Sequence, residues 1–150
     1  AHLIPDWLKS RLTTRKTRWT GSRPEPVAVE FTYNPTFTIL AVDDSDFALK
    51  SLENIPVDYK RKMETAKHGL EALEAVKRML AEKKLYHMIL MDLTMPICGG
   101  LEAAEMIRAY EQSIGAPRSF ICGLSSNDDE ATRTKCLNAG MDDYCKQIID

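Results

Sequence analysis

Long apolar runs are missing from this sequence. No stretch approaches the roughly 20 residues a membrane helix needs, and the N-terminus has no hydrophobic signal core. Glycine and proline are scarce, seven of each in 150 residues, which excludes fibrous and low-complexity classes. The four cysteines, Cys98, Cys122, Cys136 and Cys145, form no C-x-x-C pair and have no histidine beside them at zinc-ligand spacing. They indicate neither a metal staple nor a disulfide framework, and are expected to be reduced thiols of an intracellular, cytoplasmic protein. What is present, 44% hydrophobic and 28% charged residues, suits one soluble domain. A chain of this length buries roughly 68–70% of the surface its unfolded form exposes, so its core needs no cross-link.

Net charge is also nearly absent, at −2, but it is unevenly spread. Residues 1–36 carry six basic groups against three acidic ones, a net of +3, which leaves −5 on residues 37–150. A basic leader on an acidic module is a feature of chains that contact nucleic acid or membrane. Here the basic residues are not interleaved with base-stacking aromatics, so the leader is expected to be a solvated linker docking on its own acidic module, with no nucleic acid bound by the module.

From Phe37 onward, short apolar runs alternate with amphipathic stretches. Runs at 37–42 (FTILAV), 87–91 (HMILM) and 120–124 (FICGL), a weaker one at 61–66 (RKMETA) and a last one at 143–149 (DYCKQII) read as strands. Lacking strict alternation, they suit parallel strands buried on both faces. Between them, 45–54, 69–82, 101–110 and 128–139 read as helices. In the second, Leu70, Leu73, Val76, Lys77 and Leu80 fall at helical spacing; in the third, Ala103, Met106, Ile107 and Tyr110 supply the apolar face. This is an α/β chain with a parallel sheet. In the leader, residues 5–12 (PDWLKSRL) suit a short helix with Pro5 in its first position and Trp7, Leu8 and Leu12 apolar. Residues 13–26 read as a linker, and 27–33 (VAVEFTY) alternates like a half-buried strand.

In an open parallel sheet, ligands bind beyond the carboxyl ends of the strands. The first strand of the module ends in Asp43-Asp44, the third in Asp92, the fourth in Ser125-Ser126, and the fifth is followed by Lys146 and Gln147. Three carboxylates converging on one edge repel one another strongly without a cation, and a hard divalent ion with oxygen ligands, Mg²⁺, is the natural solution. A carboxylate beside such an ion can attack a phosphoryl group in line to give an aspartyl phosphate, with metal and donors neutralising the phosphoryl oxygens. Asp92 stands alone at its strand end and is the expected nucleophile, while the adjacent Asp43 and Asp44 suit the ion. Ser125 is placed to hydrogen-bond a phosphoryl oxygen. A haloacid-dehalogenase-type phosphatase uses the same chemistry, but the D-x-D pattern is absent here, since Asp92 is followed by Leu93-Thr94.

The segments ILAVDD (39–44), AKHGLEALE (66–74), MILMDLTMPICGGLEA (88–103), GLSSN (123–127) and KCLNAGMDDY (135–144) together resemble the receiver domain of two-component response regulators, most of all the receivers of hybrid histidine kinases. The resemblance implies a flavodoxin-like, doubly wound five-stranded parallel sheet of order 2-1-3-4-5 over residues 37–150, with 1–36 as an N-terminal extension. It implies that Asp92 accepts a phosphoryl group from the histidine of a histidine kinase or histidine phosphotransfer protein. Mg²⁺ would be held by Asp43, Asp44, Asp92 and the backbone carbonyl of Thr94. Ser125 would move toward the phosphoryl group and Tyr144 would turn inward with it, a two-state switch of a partner-binding face. Such a module is no independent enzyme; at most it assists its own phosphorylation and dephosphorylation, and the chain reads as a fragment of a larger signalling protein.

Two departures from that pattern stand out. The family's lysine lies three residues after the aromatic and precedes proline; here Gln147 and Ile148 occupy those places. Lys146 is one residue out of register, and neighbouring strand residues face opposite sides. An amide can donate a hydrogen bond but loses the charge-assisted contact with phosphate. The alternative reading is therefore a degenerate receiver, an interaction or dimerisation module. The second departure is the family's last helix, which does not follow 143–149. The sheet face it would cover is expected to receive residues 5–12, from the same chain or a neighbour, while 27–33 adds an edge strand or mediates a homodimer.

Overall fold

The computed structural model describes residues 31–56, 60–126 and 129–146. The 5–12 helix, the 13–26 linker, the first four residues of the 27–33 strand and Gln147 lie outside the described residues. The elements in chain order are β1 (Thr32–Tyr33), β2 (Phe37–Val42), α1 (Asp46–Glu53), β3 (Arg61–Ala66), α2 (Gly69–Ala81) and β4 (Lys84–Leu85). They continue with β5 (Met88–Asp92), α3 (Gly100–Ile114), β6 (Ile121–Ser125), α4 (Glu130–Asn138) and β7 (Asp143–Lys146). Five parallel strands pair in the order β3-β2-β5-β6-β7, which is the 2-1-3-4-5 order expected for a flavodoxin-like sheet.

Each helix starts on a local signal. Ser45 caps α1 by accepting the Ala48 amide at 3.2 Å, and Asp129 caps α4 by accepting that of Thr132 at 2.8 Å. His68 caps α2 through Nδ1, while the Glu71 carboxylate reaches back to the Lys67 amide at 2.8 Å, a reciprocal cap. α3 runs to Ile114, past the expected end at Tyr110, and stops at Gly115 in the left-handed region, φ 69°.

The two sheet faces are unequally clothed. α2, α3 and α4 cover one face, packing Ala72, Val76, Leu80, Ala103, Ile107 and Cys136 against Leu40, Val42, Ile89, Met91 and Ile121. On the other face the described elements supply only α1, whose Leu49 and Leu52 meet Phe37, Ile39, Ala41, Met88 and Leu90. The buried stripe of α2 is Ala72, Ala75, Val76, Met79 and Leu80, and Leu70 is exposed. Of the expected Leu70, Leu73, Val76, Lys77 and Leu80, Val76 and Leu80 are buried and Leu73 packs partly buried against the same core; Ala72 and Ala75 widen the stripe, and the Lys77 ammonium lies over the Tyr110 ring at 5.2 Å.

Residues 31–36 are seated on the module at its amino edge. Tyr33 and Thr32 pair in parallel with Leu85 and Lys84, not with the main sheet, so the described end of the 27–33 segment forms a separate two-stranded ribbon. Phe31 enters the α2-side core, and the His87 ring lies between Tyr33 and Phe37 with centroids 4.7 and 4.6 Å away. His87 Nδ1 accepts the Thr38 amide at 3.0 Å.

Candidate functional site

The ladder places the acidic residues. Val42 pairs with Met91, so Asp43 follows β2 beside Asp92, the last residue of β5. Asp92 in turn pairs with Leu124, one residue before Ser125. The Asp43 amide donates to the Ala66 carbonyl at 3.0 Å, which holds the chain at the strand tip, and its carboxylate accepts the Ser45 amide at 2.9 Å. Asp43 is 3% exposed, Asp92 partly buried and Asp44 exposed. Carboxylate oxygens of Asp43, Asp44 and Asp92 lie within 4.8 Å of one another.

Such an arrangement disfavours charge. Burial first, then the neighbouring Asp43 and, less, Asp44 push the Asp92 carboxyl up to about 7, against smaller opposing help from the Thr94 and Leu93 amides. The Thr94 amide donates to Asp92 Oδ1 at 3.3 Å. Among the described side chains, no basic group figures in the balance at Asp92. Lys67 is committed to Asp46 at the surface. All-oxygen donors with surplus negative charge are the set a hard divalent cation takes, so the residues present fit Mg²⁺.

The loop from β5 to α3 is pinned on both sides. The Gly69 amide donates to the Cys98 carbonyl at 2.9 Å, and the Gly100 amide to the Leu93 carbonyl at 3.1 Å. A β-carbon at position 100 would overlap the Asp92 carbonyl oxygen, so a residue without one lets α3 begin against the acceptor strand. Ile97 at the loop tip has φ 70°, a strained value for a β-branched residue, and its side chain is exposed. Cys98 is buried and its thiol is pushed up by burial, then by Glu102, which makes it a packing residue and not a reactive thiolate.

Ser125 ends β6 and is buried, and it shares a sheet face with Gly123, whose ladder partner is Tyr144. The Tyr144 ring is buried on the α2–α3–α4 side, with the Arg133 guanidinium 5.5 Å from its centroid. The β6–β7 ladder runs unbroken from Cys122–Asp143 to Ser125–Lys146, so β7 contains no bulge up to Lys146. Gln147 lies beyond the described residues.

At the opposite edge of the sheet is a second polar cluster that the sequence reading did not single out. Glu111 is 3% exposed on α3. It accepts from Arg108 Nη1 at 2.9 Å and from the Ser119 amide and hydroxyl at 3.0 and 2.6 Å. Asp142 accepts from Arg108 Nη2 at 2.8 Å, Arg118 Nε at 2.9 Å and the Ile121 amide at 2.9 Å. The available signal was position: Glu111 continues the 103–104–107 stripe that faces the core.

Among the described residues, no helix is long and apolar enough to cross a membrane. The chain is 36% identical over 101 residues to hybrid signal transduction histidine kinase K of Dictyostelium discoideum, a match covering 65% of this chain and 8% of the kinase. It is 31% identical to the response regulator mcs4 of Schizosaccharomyces pombe, covering 77% of this chain and 26% of mcs4. The chain thus spans only a small part of the curated relatives it matches. Among solved structures, the receiver domain of the histidine kinase CKI1 from Arabidopsis thaliana, complexed with Mg²⁺, is 30% identical with a TM-score of 0.62 over 73% of this chain and 81% of that one. The co-crystal of the Saccharomyces cerevisiae histidine phosphotransfer protein Ypd1 with the receiver domain of Ssk1 matches at 30% identity and TM-score 0.62, over 75% and 79%. The model of the response regulator receiver domain matches residues 39–149, a span that holds all three clustered aspartates and the five-stranded sheet but for its first two residues, and the chain belongs to that family.

Proposed function

We propose that this chain is a phosphoacceptor receiver that takes a phosphoryl group from a phosphohistidine onto Asp92. The observation that carries the reading is the cluster itself: three carboxylates within 4.8 Å at adjacent strand tips, with Asp92 pushed toward neutrality by burial and then by Asp43. Asp43, Asp44, Asp92 and the Thr94 carbonyl would hold Mg²⁺, which when bound neutralises charge on the phosphoryl oxygens and keeps Asp92 ionised. An Asp92 carboxylate oxygen then attacks phosphorus in line; the P–N bond to the donor histidine breaks, the imidazole leaves, and an acyl phosphate forms. Ser125 hydrogen-bonds a phosphoryl oxygen, and Tyr144 on the same sheet face follows it, shifting the population of a partner-binding surface. The partner is a histidine kinase or histidine phosphotransfer protein, and the chain acts in the cytoplasm as a signalling module without independent catalysis. The Ypd1–Ssk1 complex supports the partner class.

Gln147 at the family's lysine position favours a second reading, a degenerate receiver that keeps the acidic pocket as an interaction or dimerisation module. Intact mass after incubation with a small-molecule phosphodonor and Mg²⁺ separates the two. The receiver reading expects one added phosphoryl group, lost in Asp92→Asn. No addition to the parent chain, with addition gained in Gln147→Lys, would establish the degenerate reading.

A further inference from the structure

The 31–36 arm is fastened to the module around His87. This residue immediately precedes β5, and its backbone amide donates to the Thr38 carbonyl at 2.9 Å. The Thr38 amide in turn donates to Nδ1 of the same histidine at 3.0 Å. An imidazole nitrogen thus carries the β2–β5 ladder one step beyond its Ile39–Met88 pair. The ring itself is sandwiched between Tyr33 of β1 and Phe37 of β2. Thr38 is 0% exposed, so no solvent is at hand to take its amide if the nitrogen withdraws.

What the ring holds is slight. β1 and β4 pair over two residues each, and Lys83 adopts φ 61°, in the left-handed region, where its carbonyl accepts the Thr32 amide at 3.0 Å. A ribbon of that size depends on its anchors, which are Phe31 in the core and the Tyr33–His87–Phe37 stack. A ring that accepts at Nδ1 is neutral, with its proton on Nε2. Once protonated it has no lone pair in either orientation, and two N–H groups meet at a buried contact. The flanking rings attract a cation across their faces, yet they cannot supply the acceptor lost at the ring edge. The charged side chains on the surrounding elements are engaged elsewhere or positive. Lys83 lies over Phe31, Arg61 donates to the Leu52 and Ile55 carbonyls, and Lys84 stands on β4. Glu64 takes the Tyr86 hydroxyl, Asp142 is held by Arg118 and Arg108, and Glu111 by Arg108.

We propose that His87 is an acid-sensitive clasp: neutral, it accepts the Thr38 amide and holds the 31–36 arm on the module; protonated, it drops that amide and the arm opens. The clasp is complete above the ordinary imidazole range, about 6.5, and is lost as pH falls through and below it. Its action does not depend on phosphotransfer. It gives the amino edge of the sheet a control separate from the acidic cluster at the carboxyl edge.

Hydrogen exchange of the full chain in chelator tests this, read by mass spectrometry at about pH 7.5 and about pH 5.5 and corrected for the intrinsic pH dependence of exchange. Peptides covering 31–38 should lose protection on the order of tenfold at the lower pH, while those covering β6 keep theirs. His87→Gln supplies an amide oxygen that accepts without titrating, and should hold the arm at both pH values. His87→Phe keeps a stacking ring without an acceptor, and should leave the arm open at both. In the parent chain at the higher pH, long-range nitrogen correlations should place the imidazole proton on Nε2, in the signal that His87→Gln lacks. Equal protection of 31–38 at the two pH values would overturn the proposal. So would a proton on Nδ1, or the parent's acid loss persisting in His87→Gln.

Discussion

Two groups of carboxylates occupy opposite edges of one sheet under opposite conditions. At the amino edge, Glu111 and Asp142 face Arg108 and Arg118, and backbone amides and the Ser119 hydroxyl take up further lone pairs. At the carboxyl edge, Asp43, Asp44 and Asp92 face one another, and the described side chains bring no cation to Asp92. The contrast distinguishes structure from function in acidic residues. A cluster whose charges are matched inside the chain is complete as it stands. A cluster left with like charges at a strand tip costs stability and is intelligible only if something from outside completes it.

The comparison is most sharply tested at the amino edge. Arg108→Met leaves the buried Glu111 without its guanidinium partner and the part-buried Asp142 with Arg118 alone, and urea denaturation should show a loss of about 3 kcal/mol. A loss below about 1 kcal/mol would mean the network is not the matched cluster described. Gly100→Ala forces a β-carbon into the Asp92 carbonyl, and should cost about 1–3 kcal/mol while lowering phosphoryl uptake, because the β5–α3 loop must shift.

At the carboxyl edge the sign should reverse. Asp92→Asn in chelator at pH 8 should stabilise the chain by about 1–2 kcal/mol, the screened share of a carboxyl held near pH 7. The pH dependence follows from the same direction. The folded-state value of Asp92, about 7, lies above its ordinary 3.8, so its favourable contribution is complete below about pH 4 and is lost as pH rises through about 7. Metal-free stability should therefore fall across that window, and the fall should flatten in Asp92→Asn. Mg²⁺ at pH 8 should raise Tm in the parent chain and have little effect in Asp43→Asn. The smallest effect belongs to the exposed Lys67–Asp46 pair: Lys67→Ala should leave the denaturation midpoint unmoved.

Much of this was legible in the sequence, for identifiable reasons. Strands β2, β3, β5 and β6 are short apolar or mixed runs ended by polar residues, and the strand order follows from parallel winding, so Asp43, Asp44, Asp92 and Ser125 could be assigned to one edge from their positions after the strands. Less legible were features set by close packing or by distant pairing. The α2 stripe was read in part, through Leu73, Val76 and Leu80, but its Ala72 and Ala75 were not, because small residues carry a weak hydrophobic signal. β1 falls in the expected 27–33 strand, but its partner β4 has two residues, too few for any period to register, so the pairing was not legible. Glu111 was not singled out, because its partners Arg108, Ser119 and, through Arg108, Asp142 are assembled only by the fold.

Considered as coding rather than as energy, positions 100 and 115 show two different reasons for the same letter. At 115 the space around a β-carbon is open and the demand is on the backbone angle, φ 69°, so asparagine is a workable second spelling. At 100 the angle is ordinary and the demand is on volume, against a carbonyl oxygen that cannot retreat without moving the acceptor. That position admits one letter of the twenty, so a variant library over the β5–α3 loop should return glycine there alone when selected for phosphoryl uptake, and a mixed set at 115.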